Sequence, residues 1–139
     1  MRDAFRRLRR RKKTRPAPVP LAGGALDYEA ILDVVVLVTT ATADEAADMA
    51  RALVEERLAA CANVIGPIRS LFRWEGKVDD ATEHLLLVKA RAADFALLEG
   101  RVRALHSYEV PEVIALPIGA GSAPYLAWLA NATERGSRD

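Results

Sequence analysis

One thiol and two imidazoles are the soft and borderline metal donors of this chain: Cys61, His84 and His106. A cysteine thiolate suits Cu(I). The competing reading of Cys61 is a small buried residue at a strand start, where free cysteines commonly sit. His106 offers a neutral imidazole, the commonest metal ligand. It also ends a helical pattern, where the macrodipole alone favours a histidine. A single imidazole cannot close a strong site, whereas a symmetric oligomer gathers one copy from each subunit. His84 lies within a strand pattern and reads as structural. A Cys–His nucleophile pair needs a base within hydrogen-bond reach and a third group to orient it. No nucleophile signature surrounds Cys61, and the chain has no phosphate loop, zincin helix or G-x-S-x-G elbow. These residues describe a binding protein and not a catalyst.

A second constellation is Trp74, Glu75, Lys77, Tyr108 and Glu112. Carboxylates, an ammonium group and two aromatic rings can line a pocket, with the lysine as a point charge for an anion. The competing readings are a solvated turn for Glu75 and Lys77, packing for Trp74, and a shaped loop around Pro111 for Tyr108 and Glu112.

These residues have to be positioned by a small set of elements. Asp33–Thr39 is a β-branched run whose continuity predicts a strand buried on both faces. Thr42-x-x-Glu45 is a capping box. It opens a helix with Ala46, Met49, Ala50, Leu53 and Val54 on one face, ending near Ala59. Cys61–Trp74 is extended, and Gly66-Pro67 interrupts it as a bulge or edge position would. Ile68, Ser70, Phe72 and Trp74 share one side. Glu75–Lys77 turns the chain, and Glu83–Arg91 reads as the next strand. Phe95, Leu98, Val102 and Leu105 mark a second helix face. Glu112–Ile118 is the last strand, with Pro117 arguing for an edge or a strand end. Ser122 is placed to cap a short final helix. The order βαββαβ plus a C-terminal helix predicts an α+β, ferredoxin-like sandwich.

The chain's 139 residues suit one domain with one core. The net charge of +1 hides an asymmetry: residues 1–15 carry +8 and the remainder −7. Residues 1–30 read as a disordered basic and Pro/Gly-rich tail, and 31–135 as the domain. The arm carries no groove-reading element, so nucleic acid is not the expected partner. No run of apolar residues is long enough for a membrane span, and the N-terminus lacks the apolar core of a secretory signal. With a single cysteine, this favours the cytoplasm.

At about 3.3 Å per residue the middle strands reach about 40 Å, beyond the roughly 25 Å of the outer ones. The surplus protrudes as a two-stranded ribbon, which is marginal in water by itself. Leu71, Phe72 and Trp74 sit on it, so packing against another copy of the chain is expected. This gives an oligomer but not its number.

Ala59-Ala60-Cys61-Ala62-Asn63, Trp74-Glu75-Gly76-Lys77 and His106-Ser107-Tyr108-Glu109-Val110-Pro111-Glu112 occur in that order. Together they resemble the CutA divalent-cation-tolerance family over about residues 33–132. The resemblance implies a homotrimer of ferredoxin-like protomers, similar to the PII signalling proteins. It implies tolerance of copper and other divalent metals, with no established reaction. It points to His106 as a metal residue, and to Cys61, Trp74, Glu75, Lys77, Tyr108 and Glu112 as ligand-binding residues in a cleft between subunits. Copper or another divalent cation is the implied cargo, not required for folding. The other implied role is a PII-like signalling or scaffold trimer that takes a small anionic ligand in that cleft. Some relatives carry a second histidine before His106 and a cysteine on the first strand. This chain has Leu105 and Val38 there, so the full copper pattern is not kept.

Overall fold

The computed structural model describes residues 30–136. Apart from Ala30, the expected tail and its basic arm lie outside them. Four strands form one antiparallel sheet: β1 (Asp33–Thr40), β2 (Cys61–Trp74), β3 (Lys77–Arg91) and β4 (Val113–Pro117), in the order β2-β3-β1-β4. Helix α1 (Ala43–Glu55) follows β1, α2 (Phe95–Leu105) follows β3 after a short 3-10 turn, and α3 (Ala123–Ala132) comes after β4. Strand order and connectivity are those of the ferredoxin-like plan.

Both crossover helices cover one side of the sheet. Val34, Val36 and Val38 of β1 and Leu86, Val88 and Ala90 of β3 bury against Ala46, Met49 and Leu53 of α1 and Leu98 and Val102 of α2. Alternation leaves the other side less covered. Ile114, Leu37 and Leu87 pair directly across β4, β1 and β3, so they share that side. Leu37 and Leu87 are only half-buried there and Ile114 is exposed. The β-branched run of β1 therefore does not mark burial on both faces within one protomer.

Thr42 caps α1 as its sequence predicts, its Oγ1 accepting from the Glu45 amide at 3.1 Å. The helix stops at Glu55 and not near Ala59. Arg57 takes a left-handed conformation (φ 57°), and the amides of Leu58 and Ala59 turn back onto the Leu53 carbonyl. This is the common left-handed helix ending, here without glycine. Ser122 stands at the head of α3, but its hydroxyl makes no capping bond.

The hairpin of β2 and β3 is paired to its tip, where Trp74 faces Lys77. β3 thus begins at Lys77, six positions before the expected strand start at Glu83. Glu75 (φ 46°) and Gly76 (φ 78°) form the two-residue turn, matching the positive-φ pattern of a type I′ hairpin. The expected bulge lies between Ile65 and Ile68, and β2 and β4 are the sheet edges.

Candidate functional site

His106 follows the last residue of α2, where the chain leaves the helix for β4. Its side chain is fully buried, and both ring nitrogens are engaged. The Tyr108 amide donates to Nδ1 at 2.9 Å, and Nε2 lies 2.7 Å from the Thr39 carbonyl. Because Nδ1 accepts, Nε2 must carry the proton and donate to Thr39. The ring is then a neutral tautomer with no free lone pair. A metal at His106 would have to displace one of these two bonds. Glu45 of α1 stands nearby, Oε1 3.8 Å from Nδ1, instead of closing the capping box on Thr42. That buried oxygen makes no hydrogen bond.

Tyr108 stacks obliquely on the His106 ring, with centroids 4.7 Å apart. Its hydroxyl donates to Glu83 Oε2 at 2.9 Å. Glu83 is a glutamate buried within β3, 3% exposed, a place carboxylates rarely occupy unless paired. Glu112 closes the loop one residue before β4. Solvent reaches its side chain, yet its carboxyl is held above the usual carboxylate range, first by the surrounding protein and then by the charge of Glu83.

Cys61 opens β2 directly across from Lys89 of β3. Its Sγ lies 3.8 Å from Asn63 Oδ1, which also accepts from the Lys89 ammonium. Trp74, Glu75 and Lys77 occupy the hairpin tip. They stand at the far end of the 14-residue β2 from Cys61, roughly 40 Å away at the usual strand rise. Between them an exposed Arg69–Asp80 pair (2.6 Å) and an open depression mark the hairpin stem. None of the residues expected from sequence lines that depression.

The seven expected residues therefore fall into separate places. His106 and Tyr108 are brought together, and Glu112 ends the same loop. Cys61 is alone at the hairpin base, and Trp74, Glu75 and Lys77 are at its tip. Among the described residues no group of three or more His, Cys, Asp or Glu side chains is arranged to hold a metal ion. Sequence reading missed Glu83 and Lys89 at these places, and gave Glu45 only as the partner of the Thr42 cap and not as a neighbour of His106. Glu83 had a usable signal, being an acid just ahead of the apolar run Leu85–Val88. Lys89 and Glu45 had none, because only strand register and helix docking bring them into contact.

The sequence profile described as CutA1 divalent ion tolerance protein matches residues 34–132. The divalent-cation tolerance protein CutA of Thermus thermophilus is 49% identical over 98 residues, covering 70% of this chain and 95% of that protein. The chloroplastic CutA protein of Arabidopsis thaliana is 46% identical over 100 residues, covering 72% of this chain and 55% of its own length. The chain likewise spans only half of the human CutA protein. The solved CutA1 of Thermus thermophilus superposes with a TM-score of 0.72 at 48% identity, covering 73% of this chain and 99% of that one. The CutA1 of Oryza sativa does so with a TM-score of 0.73 at 42% identity, covering 76% and 97%. The profile and the Thermus thermophilus relative are named for tolerance of divalent cations. With the profile covering residues 34–132 of the 139, the chain belongs to the CutA1 divalent ion tolerance family.

Proposed function

We propose that the protein acts in divalent-cation tolerance as a non-catalytic homotrimer whose ligand site is completed between subunits, with copper as its first cargo. The observation that carries this is the wide separation of the candidate residues. Residues expected to act together lie at the base of the long hairpin, at its tip and in the 106–112 loop, and a single protomer cannot close that distance. A second copy can, by setting its hairpin tip against the other's sheet. The half-buried side of the sheet, with Leu37, Leu87 and Ile114, supplies apolar surface for such packing, and β2 and β4 are open edges suited to it. In this reading Cys61 is the soft donor and Trp74, Glu75, Lys77, Tyr108 and Glu112 line the cleft. His106 organises the Tyr108 loop from within instead of ligating.

The second reading, a PII-like trimer taking a small anion, has its own support. The Lys89 ammonium sits beside Cys61 and Asn63, and no three-donor cluster is present among the described residues. The cytoplasm is the proposed compartment. No helix among the described residues is long and apolar enough to cross a membrane, although plant relatives are named chloroplastic and the Archaeoglobus fulgidus structure is titled periplasmic.

Light scattering on the full chain, paired with Cu(I) titration of the wild type and Cys61→Ser under reducing conditions, tests the proposal. A mass of three chains and a loss of copper affinity in the variant support it. A monomer at micromolar concentration removes the inter-subunit site. A trimer whose Cys61→Ser variant binds copper as tightly as the wild type shifts weight to the anion reading.

A further inference from the structure

Helix α3 is held to the domain by one stripe of its surface. Leu129 and Thr133 are buried, and Leu126 and Ala130 are half-buried beside them. Tyr125 and Trp128 lie off this stripe, 42% and 47% exposed, with ring centroids 5.5 Å apart. Two large rings packed on each other and left half in water make an apolar face of about 200 Å². The subunit packing proposed above calls on the hairpin and on the less covered side of the sheet, and not on this face.

α3 also lies at the end of the sheet where residue 30 enters the domain. The Ile118 amide, five residues before α3, donates to the Asp33 carbonyl. Past the other end of the helix Arg135 pairs with Asp94 at 2.6 Å, and Ala92, two residues before Asp94, donates to the Leu32 carbonyl. Both ends of α3 are therefore fastened within a few residues of Leu32 and Asp33. Residues 15–21 read Arg-Pro-Ala-Pro-Val-Pro-Leu. Alternate prolines favour the polyproline II conformation, which needs no internal hydrogen bonds and loses little entropy on docking. Aromatic-lined surfaces recognise such segments. Nine positions separate Leu21 from Ala30, and at about 3.3 Å each they reach about 30 Å. Trp128 stands about 10 Å along α3 from Arg135, so the aromatic pair is within reach.

We propose that the chain's own segment Arg15–Leu21 docks on Tyr125 and Trp128 of α3, which holds the basic residues 1–13 at the end of the sheet away from the hairpin tip. Proline rings stack on the aromatic faces, and the Arg15 guanidinium supplies a cation for one of them. Tethering gives an effective concentration of about 1 mM. A contact with a Kd of about 1 mM is then occupied roughly half of the time.

The test labels the full chain with 5-fluorotryptophan. The two resonances, from Trp74 and Trp128, are assigned with Trp128→Phe, and the shift of each between H2O and D2O reads its exposure. The wild type is compared with the triple variant Pro16→Ser, Pro18→Ser, Pro20→Ser. The solvent shift of Trp128 should rise by about twofold in the variant as the half-occupied contact is released. Trp74 should not move, and light scattering should give both proteins the same mass. An unchanged Trp128 resonance overturns the docking. So does an equal change at Trp74, which reports a general loosening. A Trp128 that is shielded in both proteins, and whose replacement by serine lowers the mass, also overturns it, because a second copy then covers the face.

Discussion

The imidazole of His106 donates from Nε2 to the carbonyl of Thr39 at 2.7 Å, and this bond joins the end of α2 to the end of β1 beneath the Tyr108 loop. With Nδ1 accepting from the Tyr108 amide, the ring satisfies two buried backbone groups at once. His106→Ala should leave both unpaired, at about 1–3 kcal/mol each. Denaturant unfolding should show a loss of about 2–4 kcal/mol, and the melting temperature should fall by roughly 10 °C. Copper affinity, measured where both proteins are folded, should change by less than about threefold, well short of the tenfold that about 1.4 kcal/mol represents. A collapse of affinity with little loss of stability would make His106 a ligand after all.

Gly66 and His84 should behave as a coupled pair. A Cβ built on Gly66 would lie 2.3 Å from His84 Cδ2, far inside contact distance. Gly66→Ala should destabilise by about 1–3 kcal/mol through overpacking at the bulge. Adding His84→Ala should return at least half of that, because the ring is what the methyl meets. A double-mutant cycle by chemical unfolding measures the coupling, expected at about 1 kcal/mol or more. Additive losses would mean that the backbone of the bulge, and not the ring, resists the methyl.

At the hairpin tip the two turn residues should respond in opposite directions. Gly76 holds φ 78° with open space around its missing side chain, so Gly76→Ala meets backbone strain and no clash. The expected cost is about 1 kcal/mol. Glu75 holds φ 46°, and Asn or Gly suits that conformation better. Glu75→Asn should stabilise by roughly 0.5 kcal/mol. Equilibrium unfolding of both variants decides this. A destabilised Glu75→Asn would show that the Glu75 carboxylate makes a contact worth more than the strain.

The assembly should depend on the apolar residues left uncovered in one protomer. Leu71 on the ribbon is 63% exposed and Leu116 on β4 is 50% exposed. A charge at either position costs little in a monomer and much in a dry interface. Leu71→Lys and Leu116→Lys should each lower the mass seen by light scattering at micromolar concentration, while the far-ultraviolet circular dichroism of the protomer is retained. An unchanged mass in both would place the subunit contacts elsewhere.

The elements were legible because their signals are local. The β-branched run of β1, the Thr42 cap and the apolar periodicity of α1 and α2 each express a preference of neighbouring residues, and together they left one fold. The long hairpin was legible from strand length alone. Some boundaries were not. Lys77–Thr82 is polar and lacks a strand pattern, and it is held extended by pairing with Arg69–Trp74 across the ribbon. The end of α1 depends on Arg57 accepting a left-handed conformation that its residue type does not announce.

The sequence by itself determined the element order, the main core and the family, because short-range preference and motif order are written along the chain. Only the tertiary structure decided what the candidate residues touch. It turned both nitrogens of His106 inward, put Glu83 under Tyr108 and set Lys89 across from Cys61. It also kept the hairpin tip roughly 40 Å from the hairpin base. Apart from the bond of His106 to the Tyr108 amide, two residues on, those contacts depend on strand register and helix docking, which join residues 25 to 67 positions apart through relationships that no local pattern encodes.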